Sequence, residues 1–231
     1  MIAKPVLSLV VPCYNEAAGL ASFWARATDA LDALGLPAAA VFVDDGSRDE
    51  TFAVLSALAS RDPRVRVVAL SRNFGKEVAL AAGLDHARGE AVVPIDADLQ
   101  HPPEILTQLV ARWREGHDVV IALRRDRATE SWPRRITGDL FHRLFARLSA
   151  APAPRGAGDF RLMARPVVDA LRRMPERIRY MKGMYAWVGF RTTTVEYDVE
   201  ARASGRSRFG YVRLARLALD GVVSFSAPPL R

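Results

Sequence analysis

Before residue 124, five short apolar runs alternate with four helical segments, and nothing else in the chain narrows its fold so far. Val6–Val11, Ala39–Val43, Val65–Leu70, Ala91–Ile95 and Asp118–Leu123 have the length and the Val-rich composition of buried strands. Between them lie helical segments at about Glu16–Leu34, Ser47–Ser60, Lys76–Arg88 and Pro103–Glu115. Ser47-Arg48-Asp49-Glu50 has the Ser-x-x-Glu spacing of a capping box, which predicts the start of the second helix. Strands separated by helices pair in parallel through right-handed crossovers. The expected fold is therefore α/β, a doubly wound, mostly parallel sheet flanked by helices. In such sheets ligands sit beyond the carboxyl ends of the strands.

After Leu123 the pattern changes. Arg124–Pro133 reads as a charged loop and Ile136–Leu148 as a basic amphipathic helix with Arg135, Arg143 and Arg147 interleaved. Ala150–Gly158 reads as a Pro/Gly/Ala linker, Thr192–Val199 as an edge strand, Arg202–Gly210 as a basic loop and Tyr211–Phe225 as an apolar helix. Basic amphipathic helices of this kind either lie in a membrane interface or pack on the sheet with their arginines in water. The net charge of +7 hides an imbalance: residues 1–111 hold 9 Lys and Arg against 14 Asp and Glu, and residues 112–231 hold 24 against 12. An acidic half joined to a basic half suits a metal site facing a phosphate or an anionic membrane surface, or else reflects a solvated arginine-rich face. Cys13 is the one cysteine, so no disulfide can form within the chain and a reducing compartment is expected. Met1 to Pro5 has no leader pattern, and no window reaches the roughly 18 apolar residues of a membrane span.

Polar residues cluster at three expected strand ends: Pro12-Cys13-Tyr14-Asn15-Glu16, Asp44-Asp45-Gly46-Ser47 and Asp96-Ala97-Asp98. On a strand, residues two apart share a face, so Asp96 and Asp98 would look into one space if the strand geometry continued. Two carboxylates held together call for a cation, and Mg²⁺ or Mn²⁺ carrying phosphate fits oxygen ligands of this kind. Asp44 or Asp45 could accept hydrogen bonds from a base or ribose, or simply form a turn before a helix. His101 reads as a turn residue before Pro102-Pro103, Trp113 and Trp187 as core, Trp132 as an interfacial anchor, and Cys13 as a small filler behind the pocket.

The chain resembles the family 2 inverting glycosyltransferases, which have the GT-A (Rossmann-like) fold. Within them it is similar to enzymes that load sugars onto polyprenyl phosphate, such as dolichyl-phosphate mannosyltransferase, and most of all to the bacterial polyprenyl-phosphate glucosyltransferases. The residues that carry this likeness are Val11–Glu16, Val43–Ser47, Ser71-Arg72-Asn73-Phe74-Gly75-Lys76-Glu77, Asp96–Gln100, Gly158-Asp159-Phe160-Arg161-Leu162-Met163, Met181-Lys182-Gly183, Ala186–Phe190, and Asp220-Gly221 with Ser224-Phe225-Ser226. The Asp-x-Asp element is widely shared; the Arg-Asn-Phe-Gly-Lys and Gly-Asp-Phe-Arg-Leu stretches are far more specific.

The resemblance implies a catalytic domain over residues 1–200, with a nucleotide-binding part to about 123 and an acceptor-binding part beyond, followed by a basic loop and juxtamembrane helix over 201–231. It implies that Pro12, Tyr14, Glu16, Asp44 and Asp45 line the pocket of a UDP- or GDP-sugar, with Lys76 and Gln100 near the diphosphate. Asp98 would be the principal ligand of Mg²⁺ or Mn²⁺, with Asp96 contacting ribose or metal, and Asp159 matches the position assigned as catalytic base. Arg202 and Arg208 would close on the phosphates, although relatives often carry Lys followed by an aromatic where this chain has Arg208-Phe209. A polyprenyl monophosphate has a second pKa of roughly 6 and needs no base to remove a proton, which leaves Asp159 the alternative role of orienting the acceptor or the metal shell. Two anions must still be brought together, which assigns the acceptor phosphate to Arg124, Arg127, Arg134 and Arg135. Family members usually continue past Ser224-Phe225-Ser226 into two transmembrane helices, so the expectation is catalysis at the cytoplasmic membrane face, with homo-oligomers possible. A transferase acting on a glycan hydroxyl is the first alternative. The processive synthases' Gln-x-x-Arg-Trp is missed by one residue at Gln108 and Arg112-Trp113. A basic nucleic-acid-binding scaffold lacks any aromatic-basic recognition motif, and the first turn lacks the Gly-x-Gly-x-x-Gly of dinucleotide binders.

Overall fold

The computed structural model describes residues 5–125, 157–174 and 181–198. The loop beyond Arg125, the Ile136–Leu148 helix, the Arg202–Gly210 loop and the Tyr211–Phe225 helix lie outside those residues. Seven strands form one sheet: β1 Leu7–Cys13, β2 Ala38–Asp44, β3 Val65–Ala69, β4 Ala91–Pro94, β5 Val119–Arg124, β6 Ala157–Ala164 and β7 Thr192–Tyr197. Their order is β3-β2-β1-β4-β6-β5-β7. The helices are α1 Ala17–Leu34, α2 Thr51–Arg61, α3 Lys76–His86, α4 Leu106–Arg114, α5 Arg165–Arg173 and α6 Met181–Trp187, with a 3-10 turn over Pro103–Ile105 before α4.

The first four strands are parallel, and β7 runs parallel to β5 at the sheet edge, as expected. The sheet departs from the expectation at β6, which lies antiparallel between β4 and β5. Ala157 and Gly158, read from sequence as the end of a linker, are its first residues. Arg124, read as loop, closes β5.

Each central strand feeds two cores. In β1, Leu7, Leu9, Val11 and Cys13 face a core shared with α1 and α4, while Val10 faces the other, shared with α3, α5 and α6. Burial on both faces is why these strands read as unbroken apolar runs. Helix α1 presents Leu20, Phe23, Trp24, Ala27 and Leu31, a stripe at helical spacing, with Phe23 and Trp24 edge-on to Phe42 at 6.2 and 5.6 Å. On the opposite face Gly83 lets α3 approach so closely that a Cβ there would strike the Val10 side chain. Trp113 is partly buried between the two cores, whereas Trp187, expected inside, stands 60% exposed at the end of α6.

The capping box does not form. Helix α2 begins at Thr51, whose amide donates to Asp49 Oδ1 (3.1 Å), and Ser47 serves a different loop. At the far end of the sheet, Arg64 grips Asp62 (2.8 Å) and Asp32 (2.7 Å) and lies over Trp24. The Arg64 hydrogen bonds hold the Asp62 carboxyl below its ordinary range against a smaller opposing effect of burial. A depressed native pKa contributes stability above the unfolded value of about 4 and loses it as pH falls through the native value. Arg64→Ala is therefore expected to cost about 1 kcal/mol at pH 7, roughly 2–4 °C in Tm. Melts repeated toward pH 3 should show the deficit shrinking.

Candidate functional site

The chain steps outward from β1 to β2 to β3, then returns to place β4 on the other side of β1. That reversal opens a crevice at the carboxyl ends of β1 and β4, the position where open α/β sheets bind ligands. The loops after β1 and β2 are joined there by hydrogen bonds. Asp45 N donates to Cys13 O (2.8 Å), Asn15 N to Ser47 Oγ (3.0 Å), Arg48 N to Asn15 Oδ1 (2.8 Å) and Glu16 N to Thr51 Oγ1 (2.9 Å). Asn15 sits at φ 53°, a conformation Asn tolerates better than most residues. Tyr14 and Glu16 are thereby fixed at the rim, half-buried. Cys13 is buried behind them, and burial, followed by the charges of Glu16, Asp44 and Asp96, pushes its thiol pKa up, as suits an inert filler.

Asp44 and Asp45 are buried. Asp44 Oδ1 accepts the Ser47 amide (3.1 Å), and Asp45 spends both oxygens on backbone, taking Phe74 N (2.7 Å) and Gly75 N (2.9 Å). Asp45 thus anchors the Arg-Asn-Phe-Gly-Lys loop against the β2 end. Gly46 makes that contact possible: its φ is 63°, and a Cβ would run into the backbone of Arg72 and Asn73. Gly46→Ala is expected to cost about 1–3 kcal/mol and to free the loop. Faster amide exchange at Phe74 and Gly75, which would lose their acceptor, is the check.

The anchored loop delivers Lys76, the first residue of α3, into the crevice. Its Nζ lies 2.7 Å from Asp96 Oδ1 and 2.9 Å from Asp159 Oδ2. Burial works against the charge on Lys76, but the two carboxylates more than reverse it and hold the ammonium pKa well above its ordinary value. Asp159 arrives from β6. That strand pairs Val92 with Met163 in antiparallel register, which carries Asp159 toward the level of Asp96. Strand β4 ends at Pro94, so Asp96 and Asp98 sit in the following turn rather than on a strand face. Leu99 at φ 59° tightens that turn, and Gln100 N donates to Asp98 Oδ1 (3.1 Å).

Behind the turn His101, read from sequence as a turn residue, is 6% exposed. Its ring packs on Phe160 (5.1 Å) and Tyr197 (5.7 Å), with Nδ1 2.6 Å from Tyr197 Oη and Nε2 3.8 Å from Asp96 Oδ2. Burial lowers its pKa, and Arg124 and Lys76 oppose the pull of Asp96. Arg161, 3% exposed, donates to Gly158 O (2.6 Å) and lies over the Tyr185 ring at 4.0 Å. Burial presses the Arg161 pKa down and the Tyr185 pKa up.

Among the described residues, no three His, Cys, Asp or Glu side chains converge as a complete metal cage. That is compatible with a hard cation bound by one or two carboxylates and completed by phosphate oxygens and water. Asp98 is half-buried on the turn, and Asp96 shares its charge with Lys76, so the donor set suits such a cation. The structure therefore gathers Tyr14, Glu16, Asp44, Asp45, Lys76, Asp96, Asp98, Gln100 and Asp159 at one rim, with Pro12 on β1 leading to it. Arg124 stands at the end of β5, level with Tyr197. Arg127, Arg134, Arg135, Arg202 and Arg208 lie outside the described residues. His101, Tyr197, Arg161 and Tyr185 were not expected at the site, and only the position of His101, directly after the acidic turn, offered a signal.

Residues 8–172 match the profile of Glycosyl transferase family 2. Over 225 residues, 97% of the chain, it is 46% identical to an uncharacterized glycosyltransferase of Synechocystis and covers 71% of it. It is 44% identical over the same length to a bactoprenol glucosyl transferase of Shigella phage SfV, covering 73%. Among solved structures it is similar to glucosyl-3-phosphoglycerate synthase from Mycobacterium tuberculosis in complex with Mn²⁺, UDP and phosphoglyceric acid, with TM-score 0.67, 24% identity, and coverage of 96% of this chain and 77% of that one. It is also similar to a mannosyltransferase from Pyrobaculum calidifontis in complex with GDP-Man and Mn²⁺, with TM-score 0.65, 21% identity, and coverage of 98% and 67%. At these identities the structural likeness speaks for the fold.

Proposed function

Since the chain belongs to glycosyl transferase family 2, with a GT-A-like fold, we propose that it is an inverting transferase that moves glucose from a nucleotide diphosphate sugar to a polyprenyl phosphate at a membrane surface. The observation that carries the reading is the meeting of Asp96 and Asp159 on one ammonium in the crevice between β1 and β4. The bactoprenol glucosyl transferases, at 44% identity, support glucose and a polyprenyl acceptor.

In this mechanism Tyr14, Glu16 and the loops held by Asp44 and Asp45 receive the nucleotide. A divalent cation, Mg²⁺ or Mn²⁺, held by Asp98 with Asp96 beside it, would stabilise the charge growing on the departing diphosphate. Lys76 keeps Asp96 and Asp159 from repelling each other and adds positive charge near the diphosphate. The acceptor phosphate, largely dianionic at neutral pH, attacks the anomeric carbon opposite the departing diphosphate, which inverts the configuration. Asp159 then orients the acceptor and Lys76 rather than taking up a proton. Arg124 leads the arginines that receive the acceptor phosphate. Among the described residues no helix is long and apolar enough to cross a membrane. The lipid phosphate is met at a membrane surface that we place on the cytoplasmic side.

The test is a panel of labelled UDP- and GDP-sugars supplied with undecaprenyl phosphate and Mg²⁺ or Mn²⁺. The expected result is lipid-linked glucose, abolished by chelation. Failure to form a lipid-linked sugar from any donor, or transfer to a glycan hydroxyl instead, overturns the proposal.

A further inference from the structure

Asp96 and Arg124 belong to opposite sides of the proposed reaction, yet two neighbouring side chains, His101 and Tyr197, lie between them. Arg124 ends β5 and pairs in register with Tyr197, the last residue of β7. Tyr197 is 2% exposed and packs edge-on to Phe160 at 5.7 Å, the residue after Asp159. Its phenol reaches His101 Nδ1 at 2.6 Å, and His101 Nε2 faces Asp96 Oδ2 at 3.8 Å. Burial pushes the Tyr197 pKa up, and a hydrogen bond from Arg124 pulls it partly back.

Donor and acceptor chemistry assigns every proton in this set. Arg124 is the in-register strand neighbour of Tyr197, and a guanidinium only donates, so toward Arg124 the phenol oxygen acts as an acceptor. In that arrangement the single phenol proton goes to His101 Nδ1, which is then the unprotonated ring nitrogen. The ring proton is left on Nε2, directed at a carboxylate. The polarity runs one way, from Arg124 through Tyr197 to His101, whose Nε2 approaches Asp96 at 3.8 Å as an electrostatic neighbour and not a hydrogen-bond donor. Arg124 is exposed, so its five-donor fork can meet an anion while the residue stands beside Tyr197.

We propose that Tyr197 and His101 are positioning residues that tie the acceptor-side Arg124 to the donor-side Asp96, so that acceptor phosphate and nucleotide diphosphate bind cooperatively. A phosphate on Arg124 fixes the guanidinium, and with it the phenol, the imidazole and the Asp96 carboxylate, before the nucleotide arrives. The inference rests on the proposed function, because it assigns Arg124 to the acceptor phosphate and Asp96 to the donor. Neither Tyr197 nor His101 needs to touch a substrate.

The experiment measures UDP binding to the full chain with Mn²⁺ by calorimetry, with and without a short-chain prenyl phosphate. For the wild type, UDP should bind about fivefold more tightly when the prenyl phosphate is present, and reciprocally. Tyr197→Phe keeps the ring packing and removes the phenol; it should erase this coupling while leaving the Kd for UDP alone unchanged and Tm within about 2 °C. His101→Gln, which retains a donor near the Nε2 position, should restore part of the coupling that His101→Ala loses. Coupling that persists in Tyr197→Phe overturns the proposal. So does a Tyr197→Phe variant that binds UDP alone more weakly and melts earlier, since that marks a purely structural role. A wild type that binds both ligands independently overturns the coupling and spares the functional reading. One that binds neither overturns both.

Discussion

Asp98→Asn should lower sugar transfer by about a thousandfold or more while leaving the fold intact. The asparagine keeps an oxygen for the Gln100 amide, which donates to Asp98 Oδ1 at 3.1 Å. The turn, set by Leu99 at φ 59°, therefore survives. What disappears is the negative charge that the proposed cation requires. Initial rates with the preferred donor, a thermal melt and a Mn²⁺ titration together read the result. A variant that retains a rate within tenfold of wild type would remove Asp98 from the metal site.

Lys76→Met should be nearly as damaging for a different reason. Asp96 and Asp159 both touch the Lys76 ammonium, at 2.7 and 2.9 Å. Removing it leaves two carboxylates facing each other in a partly buried crevice. Full burial of such a loss costs several kcal/mol, and the remaining solvent access reduces this to about 1–3 kcal/mol. Activity is expected to fall about a hundredfold, as for the loss of one preorganised charge. Asp159→Asn added to Lys76→Met should recover part of the lost stability, a non-additivity that two independent sites would not show. Mn²⁺ should raise the Tm of Lys76→Met more than that of the wild type, because the cation then answers both carboxylates. Equal shifts in the two proteins would sink the idea that ammonium and cation neutralise the same pair.

The legible and illegible parts of this molecule differ in the distance over which their causes act. Strands β1 to β5 and their helices could be read because alternate residues such as Leu9 and Val10 enter cores on opposite faces, and local apolar runs record that. The three acidic strand ends were legible for the same reason, since each follows directly on its strand. Strand β6 was not: Asp159 and Arg161 interrupt its apolar pattern, and its partners, β4 and β5, lie far away in sequence. Ser47 and Glu50 matched a capping box, but Asn15 claims Ser47 and Asp49 takes over the cap. The Pro102-Pro103 pair suggested a plain turn residue at His101, yet Phe160 and Tyr197 from distant strands enclose the ring. Trp187 looked like core by type alone and is exposed. The cross-links that build the site, from Lys76 to Asp159 and from His101 to Tyr197, join residues brought together by tertiary packing alone.

The placement of β6 also governs the order in which the protein can be made. Strand β5 pairs with β6 and β7, both of which follow it along the chain. While the ribosome is still short of residue 164, β4 has an open edge and β5 has nowhere to dock. At roughly 5–20 residues per second, that condition lasts for seconds on every nascent chain. An unpaired apolar edge is the feature most prone to mispairing with a neighbouring polypeptide. The strand that closes this gap is the one that carries Asp159. Ribosomes stalled or truncated before residue 157 should therefore release chains that aggregate and hold only half of the crevice, whereas those that complete β6 gain solubility and the second carboxylate in the same step.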